Sequence, residues 1–307
     1  MTKVFIDGSA GTTGLRIVER LSERKDLELL ILPDELRKDP AARADALATA
    51  DIAFLCLPDD AAKESAALAG AGKVKIIDTS TAHRVDPQWV YGMPELAGAR
   101  QRIAKSSRIA NPGCHASGFI ALVAPLVQAG LLPADARLSC FSLTGFSGGG
   151  KKMIAQYEDP DRPRLYNAPR QYALSQEHKH LKEMGAVCGL EAAPVFCPIV
   201  ADFYSGMEVT VPLFASQLKG GIQDIQALYK DYYRTGLIRF DAAADEDGLL
   251  SAVAYEGRDD MGVSVFGNED RIILTARFDN LGKGASGAAI QNMNILLGLD
   301  ETTGLNV

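Results

Sequence analysis

Cysteine is sparse and scattered in this chain of 307 residues, with five at positions 56, 114, 140, 188 and 197. An odd, widely spaced set is not a disulfide framework. No C-x-x-C or H-x-x-x-H pair occurs, so no metal site is expected. Long apolar runs are missing too; none approaches the roughly 20 residues that cross a bilayer. Met1-Thr2-Lys3 leads straight into Val4-Phe5-Ile6, which is too short for a secretory signal. A reducing cytoplasm is the expected location. Basic charge is not in excess either. The net charge of −7 argues against a nucleic-acid partner, which needs a basic face. Internal repeats and low-complexity segments are absent.

What remains is a globular composition, 47% hydrophobic and 23% charged, long enough for two domains. Lys3–Ile6 reads as a short buried strand. Gly8-Ser9-Ala10-Gly11-Thr12-Thr13-Gly14 follows at once, and Leu15, Ile17, Val18 and Leu21 then recur at helical spacing. Strand, glycine loop and helix form the setting in which backbone N–H groups hold a phosphate. A second strand, Leu27–Leu32, leads to Asp34, the residue type that favours NAD, and to Arg37 and Lys38, the type that accepts a 2′-phosphate. A helix over Ala41–Ala48, a strand over Asp51–Pro58, a helix over Asp59–Ala71 with Asp59 as its N-cap, and a strand over Val74–Asp78 complete the alternation. The pattern predicts an α/β, Rossmann-like, doubly wound parallel sheet. Arg84 lies just past the fourth strand, where ligands of such sheets bind.

The stretch Asn111-Pro112-Gly113-Cys114 delivers a cysteine to the start of the apolar run Gly118–Val127, read as one face of a helix. A helix N-terminus favours an anion, but only by roughly 0.3–1 kcal/mol. That lowers a thiol by less than one unit from about 8.5. Cys114 as a nucleophile therefore needs a second helper; otherwise it is a small residue that packs at a helix start. Two of the four histidines, His178 and His180, occur together in Glu177–Glu183. At i, i+2 they do not share a helix face, so one of them is expected to point into a site. His115 adjoins Cys114, but helical neighbours diverge by about 100°, so it is discounted as the base.

The second half reads differently. Leu138–Leu143, Met207–Phe214, Val263–Phe266 and Ile272–Phe278 are strands, with a helix over Ile222–Tyr233, giving an α+β domain with a mainly antiparallel sheet. The stretch Gly145–Lys152 reads as a glycine loop near a ligand, without the P-loop register. Pro160–Pro169 reads as a loop. A last helix over Ala288–Leu297 is expected to complete the first domain. The division is 1–113 with 284–307, and 114–283.

With these pieces in order, the sequence resembles the shorter form of the N-acetyl-gamma-glutamyl-phosphate reductases, within the semialdehyde dehydrogenases. The motifs carrying the likeness are Gly8–Gly14, Tyr91-Gly92-Met93-Pro94-Glu95-Leu96, Asn111–Cys114, Ser147-Gly148-Gly149-Gly150-Lys151, and Asp279–Ala285 through Gln291-Asn292-Met293-Asn294. The resemblance implies NADP-dependent reduction of an acyl phosphate to a semialdehyde, through a thioester on Cys114, in arginine biosynthesis. It implies His178 as the base, with His180 in reserve. It implies Gly8, Gly11, Thr12, Thr13 and Gly14 on the cofactor pyrophosphate, and Ser147, Gly148 and Asn280 at the nicotinamide. Arg84 and Lys151 are the candidates for substrate anions, and a homo-oligomer (dimer or tetramer) is implied. The histidine segment departs from the longer form's H-R-H-T-P-E. The competing readings are an aspartate-semialdehyde dehydrogenase, a cofactor-binding regulator without catalysis, and, more weakly, a cysteine hydrolase.

Overall fold

A computed structural model describes residues 1–307. The chain divides into two compact units, Met1–Pro112 with Ala285–Leu305, and Gly113–Gly284 with Asn306–Val307.

The first unit holds β1 (Thr2–Asp7), α1 (Thr12–Ser22), β2 (Leu27–Leu30), α2 (Pro40–Thr49), β3 (Ile52–Leu55), α3 (Asp59–Ala69), β4 (Lys75–Asp78), β5 (Val90–Tyr91), α4 (Ala99–Lys105) and β6 (Arg108–Ala110). The strands form one sheet in the order β2-β1-β3-β4-β6-β5, and every neighbouring pair is parallel. Alternation along each strand feeds two cores. Val4, Ile6, Ile52 and Phe54 pack on one face, while Phe5, Ala53 and Leu55 pack on the other. Such strands read as unbroken apolar runs because both faces are covered. Asp59 corrects one expectation: the N-cap of α3 is Pro58, and the Asp59 carboxylate instead accepts from the Thr81 N–H at 2.9 Å.

The second unit contains α5 (Cys114–Gln128), β7 (Ser139–Gly145), α6 (Gly150–Glu158), β8 (Arg170–Gln171), α7 (Leu181–Cys188), β9 (Val195–Ala201), β10 (Met207–Phe214), α8 (Ile222–Tyr232), β11 (Ile238–Phe240), β12 (Met261–Gly267) and β13 (Arg271–Phe278). Its sheet runs β11-β12-β13-β10-β7-β9-β8. Most pairings are antiparallel, but β7–β9 and β11–β12 are parallel, so the sheet is mixed. The last helix, α9 (Gly287–Leu297), returns to the first unit, where Ala289, Ile290, Met293 and Leu296 join the core beside Ile6 and Phe54.

Helix α5 is buried all round rather than along one face, from His115 to Leu126. It packs on β10 and β13 on one side and meets α7 and α8 on others. Gly118 permits this: a Cβ there would stand 2.5 Å from Val209 Cγ2. Pro125 lies inside the helix and has no N–H for the carbonyl of Ala121. The Tyr233 hydroxyl donates to that carbonyl at 2.6 Å instead. The supposed glycine loop is helical from Phe146 onward. A 3₁₀ turn (Phe146–Gly149) runs directly into α6, whose first residue, Gly150, has φ +71.

Candidate active site

Cys114 is the first residue of α5, and Gly113 is its N-cap without any side-chain cap. The Gly113 N–H instead donates to Glu183 Oε2 at 3.2 Å. Glu183 is buried in the first turn of α7, and its Oε1 lies 4.0 Å from His180 Nε2. One carboxylate therefore ties the turn before the cysteine to the histidine segment. Its negative charge sits at the helix end that would favour a thiolate, and opposes that small effect. Gly284 closes the other side: a Cβ there would stand 3.0 Å from Cys114 Cβ and 3.2 Å from the Asp279 carbonyl. Glu183 follows His180 by three residues, a first-turn acid legible in the sequence but not singled out.

His178 and His180 precede α7 rather than lying along a helix, so the i, i+2 argument does not apply to them. Their ring centroids are 4.6 Å apart, and both approach His115, at 5.7 and 5.6 Å. The segment from Tyr172 to Glu183 folds over the first turn of α5, which brings His115 into the cluster despite its place beside Cys114. His180 is buried, whereas His178 is half-buried. The His180 N–H donates to His178 Nδ1 at 3.2 Å.

His115 itself is fully engaged. Nδ1 pairs with the Ser142 hydroxyl at 2.6 Å and Nε2 with the Tyr172 hydroxyl at 2.7 Å. Burial, then the nearby His178 and Lys179, push its pKa down to about 3, so the ring is neutral and is no base. Burial, then the charge of Cys114, raises the pKa of the Tyr172 hydroxyl, which stays protonated. Tyr172 carries no local signal in the sequence.

The buried neutral His115 has a consequence for stability. Unfolded, it titrates near 6.5; folded, near the depressed value of about 3. Between the two, the unfolded chain binds a proton that the native chain does not, so stability falls as pH falls. The expected loss is roughly 1.4 kcal/mol per pH unit below about pH 6.5. Urea unfolding of wild type and His115→Gln at pH 7.5 and 5 checks this. The wild type should lose about 2 kcal/mol more than the variant over that interval; equal losses mean that His115 is not held neutral.

Ser147, Gly148 and Asn280 come together within the second unit. Asn280 Nδ2 donates to Ser147 Oγ at 3.0 Å, and Asn280 Oδ1 accepts from the Gly206 N–H at 2.9 Å. A Cβ on Gly148 would lie 3.4 Å from Thr144 Oγ1 and 3.5 Å from Asn280 Nδ2. Lys151, exposed in the first turn of α6, lies four residues beyond Ser147.

In the first unit the loop after β1 needs its outer glycines for space. Gly8 has φ +86, and a Cβ on it would stand 2.3 Å from the Cys56 carbonyl oxygen. A Cβ on Gly14 would stand 2.3 Å from the Gly8 carbonyl oxygen. Gly11 is the N-cap of α1 and no side chain caps that helix, whose first residues are Thr12 and Thr13. The loop therefore offers backbone N–H groups of a helix start, a setting that fits a phosphate. A cavity of about 260 Å³ is lined by Gly8, Ser9, Ala10 and Gly11 together with Arg37 and Lys38. Asp34 is not among its lining residues; it is exposed and pairs with Arg37 at 3.2 Å. Arg84, past β4, donates from Nε to the Asn111 carbonyl at 2.9 Å and from Nη2 to the Thr79 carbonyl at 3.1 Å.

The chain is similar to known proteins over nearly its whole length. The semialdehyde dehydrogenase NAD-binding domain matches residues 33–106, and the semialdehyde dehydrogenase dimerisation domain matches residues 114–280. The N-acetyl-gamma-glutamyl-phosphate reductases of Brucella ovis and Brucella suis biovar 1 are each 49% identical to this chain, covering 96% of it and 99% of their own length. Among solved structures, aspartate semialdehyde dehydrogenase II from Vibrio cholerae aligns with TM-score 0.74 at 18% identity, over 97% of this chain and 98% of that one. Aspartate semialdehyde dehydrogenase from Francisella tularensis aligns with TM-score 0.72 at 15% identity, over 97% of this chain and all of that one. At those identities the likeness speaks for the fold. The extended match to the reductases, with both domain matches, identifies the chain as a member of the N-acetyl-gamma-glutamyl-phosphate reductase family of semialdehyde dehydrogenases, NAD(P)-binding oxidoreductases.

Proposed function

We propose that this chain reduces N-acetyl-L-glutamyl 5-phosphate to N-acetyl-L-glutamate 5-semialdehyde with release of phosphate, using NADPH, as a step of arginine biosynthesis. The observation that carries the reading is Cys114 at the head of α5, with the histidine segment folded over that turn and tied to it by Glu183. The Cys114 thiolate attacks the acyl carbon, the C–O bond to phosphate breaks, and a thioester forms. When bound, the reduced dinucleotide supplies a hydride to the thioester carbon. The resulting thiohemiacetal on Cys114 then collapses, the C–S bond breaks, and the aldehyde leaves.

His178 is assigned the proton transfers. Its half-buried ring is more open to a substrate than that of His180, which is buried toward Glu183. With Nδ1 accepting from the His180 N–H, the neutral ring carries its proton on Nε2. Taking the thiol proton on Nδ1 requires that contact to open and leaves an imidazolium. The imidazolium is the acid that returns the proton to sulfur as the thiohemiacetal collapses.

Gly8, Gly11, Thr12, Thr13 and Gly14 are assigned to the cofactor pyrophosphate, and Ser147, Gly148 and Asn280 to the nicotinamide. Arg37 and Lys38 line the cavity of the glycine loop and Asp34 does not, which supports NADP over NAD. Arg84 and Lys151 are assigned to the substrate's anions. Arg84 suits the phosphate because its Nε and Nη2 are held on carbonyls, which fixes the direction of the guanidinium charge.

The assembly is assigned as a homo-oligomer. One face of the second unit's sheet leaves Phe141, Val195, Phe214 and Ile273 exposed, a patch suited to a second copy. No helix is long and apolar enough to cross a membrane.

The deciding assay is NADP⁺ reduction with N-acetylglutamate 5-semialdehyde, with and without phosphate. Activity that requires phosphate is expected, with NAD⁺ a poorer acceptor. Turnover with aspartate semialdehyde instead moves the substrate assignment to that relative. Absence of turnover with both, in protein that binds NADP⁺, leaves a non-catalytic binder.

A further inference from the structure

Strand β4 ends on Asp78, a fully buried carboxylate that the proposed chemistry does not use. It takes three hydrogen bonds from the turn that follows. The Ser80 N–H donates to Oδ1 at 2.9 Å, and the Ser80 hydroxyl donates to Oδ2 at 2.8 Å. His83 Nδ1 meets Oδ2 at 2.7 Å. An ionised carboxylate only accepts, so His83 presents Nδ1–H to it. The His83 ring lies flat on Trp89, with centroids 4.0 Å apart and planes 14° apart. The next residue is Arg84, tied to the carbonyls of Thr79 and Asn111. Its direction is therefore set by the turn that Asp78 and His83 hold.

We propose that Asp78 and His83 are positioning residues that hold the 79–84 turn so that the Arg84 guanidinium keeps a fixed direction toward the substrate's phosphate. The inference rests on the assignment of Arg84 to that phosphate. A charge-assisted bond within a buried, satisfied set is worth more than a surface contact, and its loss frees the turn to sample directions that do not bind. Neither residue is assigned to the reacting atoms, so loss of the pair should weaken phosphate capture more than it slows turnover.

The test uses the whole protein in the semialdehyde-oxidising direction, with inorganic phosphate as the varied substrate. His83→Phe keeps a flat ring for Trp89 but cannot donate to Asp78. His83→Asn keeps an N–H close to the place of Nδ1. In His83→Phe the KM for phosphate should rise about tenfold while kcat changes by less than about threefold. His83→Asn should recover most of that loss. Trp89 is the only tryptophan, so its emission reports whether this turn is still packed in each variant. If His83→Phe does not fold, Ser80→Ala removes one donor to Asp78 and should raise the phosphate KM about threefold. An unchanged phosphate KM in the folded variant overturns the proposal. So does a loss in kcat alone, or an equal loss that His83→Asn does not relieve. Arg84→Lys separates the two levels. If it leaves the phosphate KM unchanged, the Arg84 assignment has failed and this inference falls with it. If it raises the KM while His83→Phe does not, only the inference has failed.

Discussion

Cys114→Ser should lower turnover by more than about 10³-fold, with the fold and cofactor binding intact. Serine is nearly the same size, so the helix start should keep its packing. What changes is the nucleophile: an alcohol is hardly ionised where a thiol is partly so. The helix end cannot make up the difference, since it contributes roughly 0.3–1 kcal/mol and Glu183 places a carboxylate at the same end. The effect should also be specific to this thiol. Burial pushes the Cys56 thiol up to about 12 and raises those of Cys140 and Cys188 well above their usual range. Those three are poor nucleophiles in the native protein. Iodoacetamide under native conditions should label Cys114, with the half-buried Cys197 as its competitor, and activity should fall in step with the label on Cys114. Near-normal turnover in Cys114→Ser removes the residue from the mechanism. An unlabelled Cys114 in active protein does the same.

His178→Asn should cost about 10²–10⁴-fold in kcat, the usual worth of a positioned acid–base group. Asparagine keeps a polar side chain in the cluster but carries no proton that it can exchange near neutral pH. The neighbouring variant decides the assignment. His180 is buried, close to Glu183 and in the turn that enters α7, so His180→Asn should act mainly through placement of that segment. Its effect on kcat should be smaller, and it should leave the pH dependence of kcat in place. His178→Asn should flatten the limb that reports the titrating base. If His180→Asn gives the large loss and the flattened limb, the roles of the two are exchanged.

The parallel sheet of the first unit is legible in local pattern alone. Apolar strands, a glycine loop and alanine-rich helices alternate with a period that only a sheet covered on both faces accommodates, as Ile52–Leu55 illustrates. A cysteine at a helix start is legible in the same way, because Asn-Pro-Gly before an apolar run is local chemistry. Local signals did less well where contacts from distant segments decide the outcome. The run of glycines after β7 reads as a loop, yet it winds into a helix. Asp59 has the composition of an N-cap, but Thr81 claims its carboxylate. Helix α5 reads as amphipathic until β10, β13, α7 and α8 cover it.

The candidate site follows the same division. Cys114 and the histidine segment are legible as residue types, yet nothing near either one says that they meet. Only the fold brings the 172–183 segment over α5, sets Glu183 against the Gly113 N–H, and turns His115 from a discounted neighbour into a neutral, doubly bonded member of the cluster. Likewise Asp34, Arg37 and Lys38 are equal signals in the sequence. The tertiary structure lines the cavity with the two cations and leaves the acid in solvent. The physical reason is common to all of these. Period and turn chemistry act over a few residues, whereas burial, charge pairing and the direction of a side chain depend on elements many residues away.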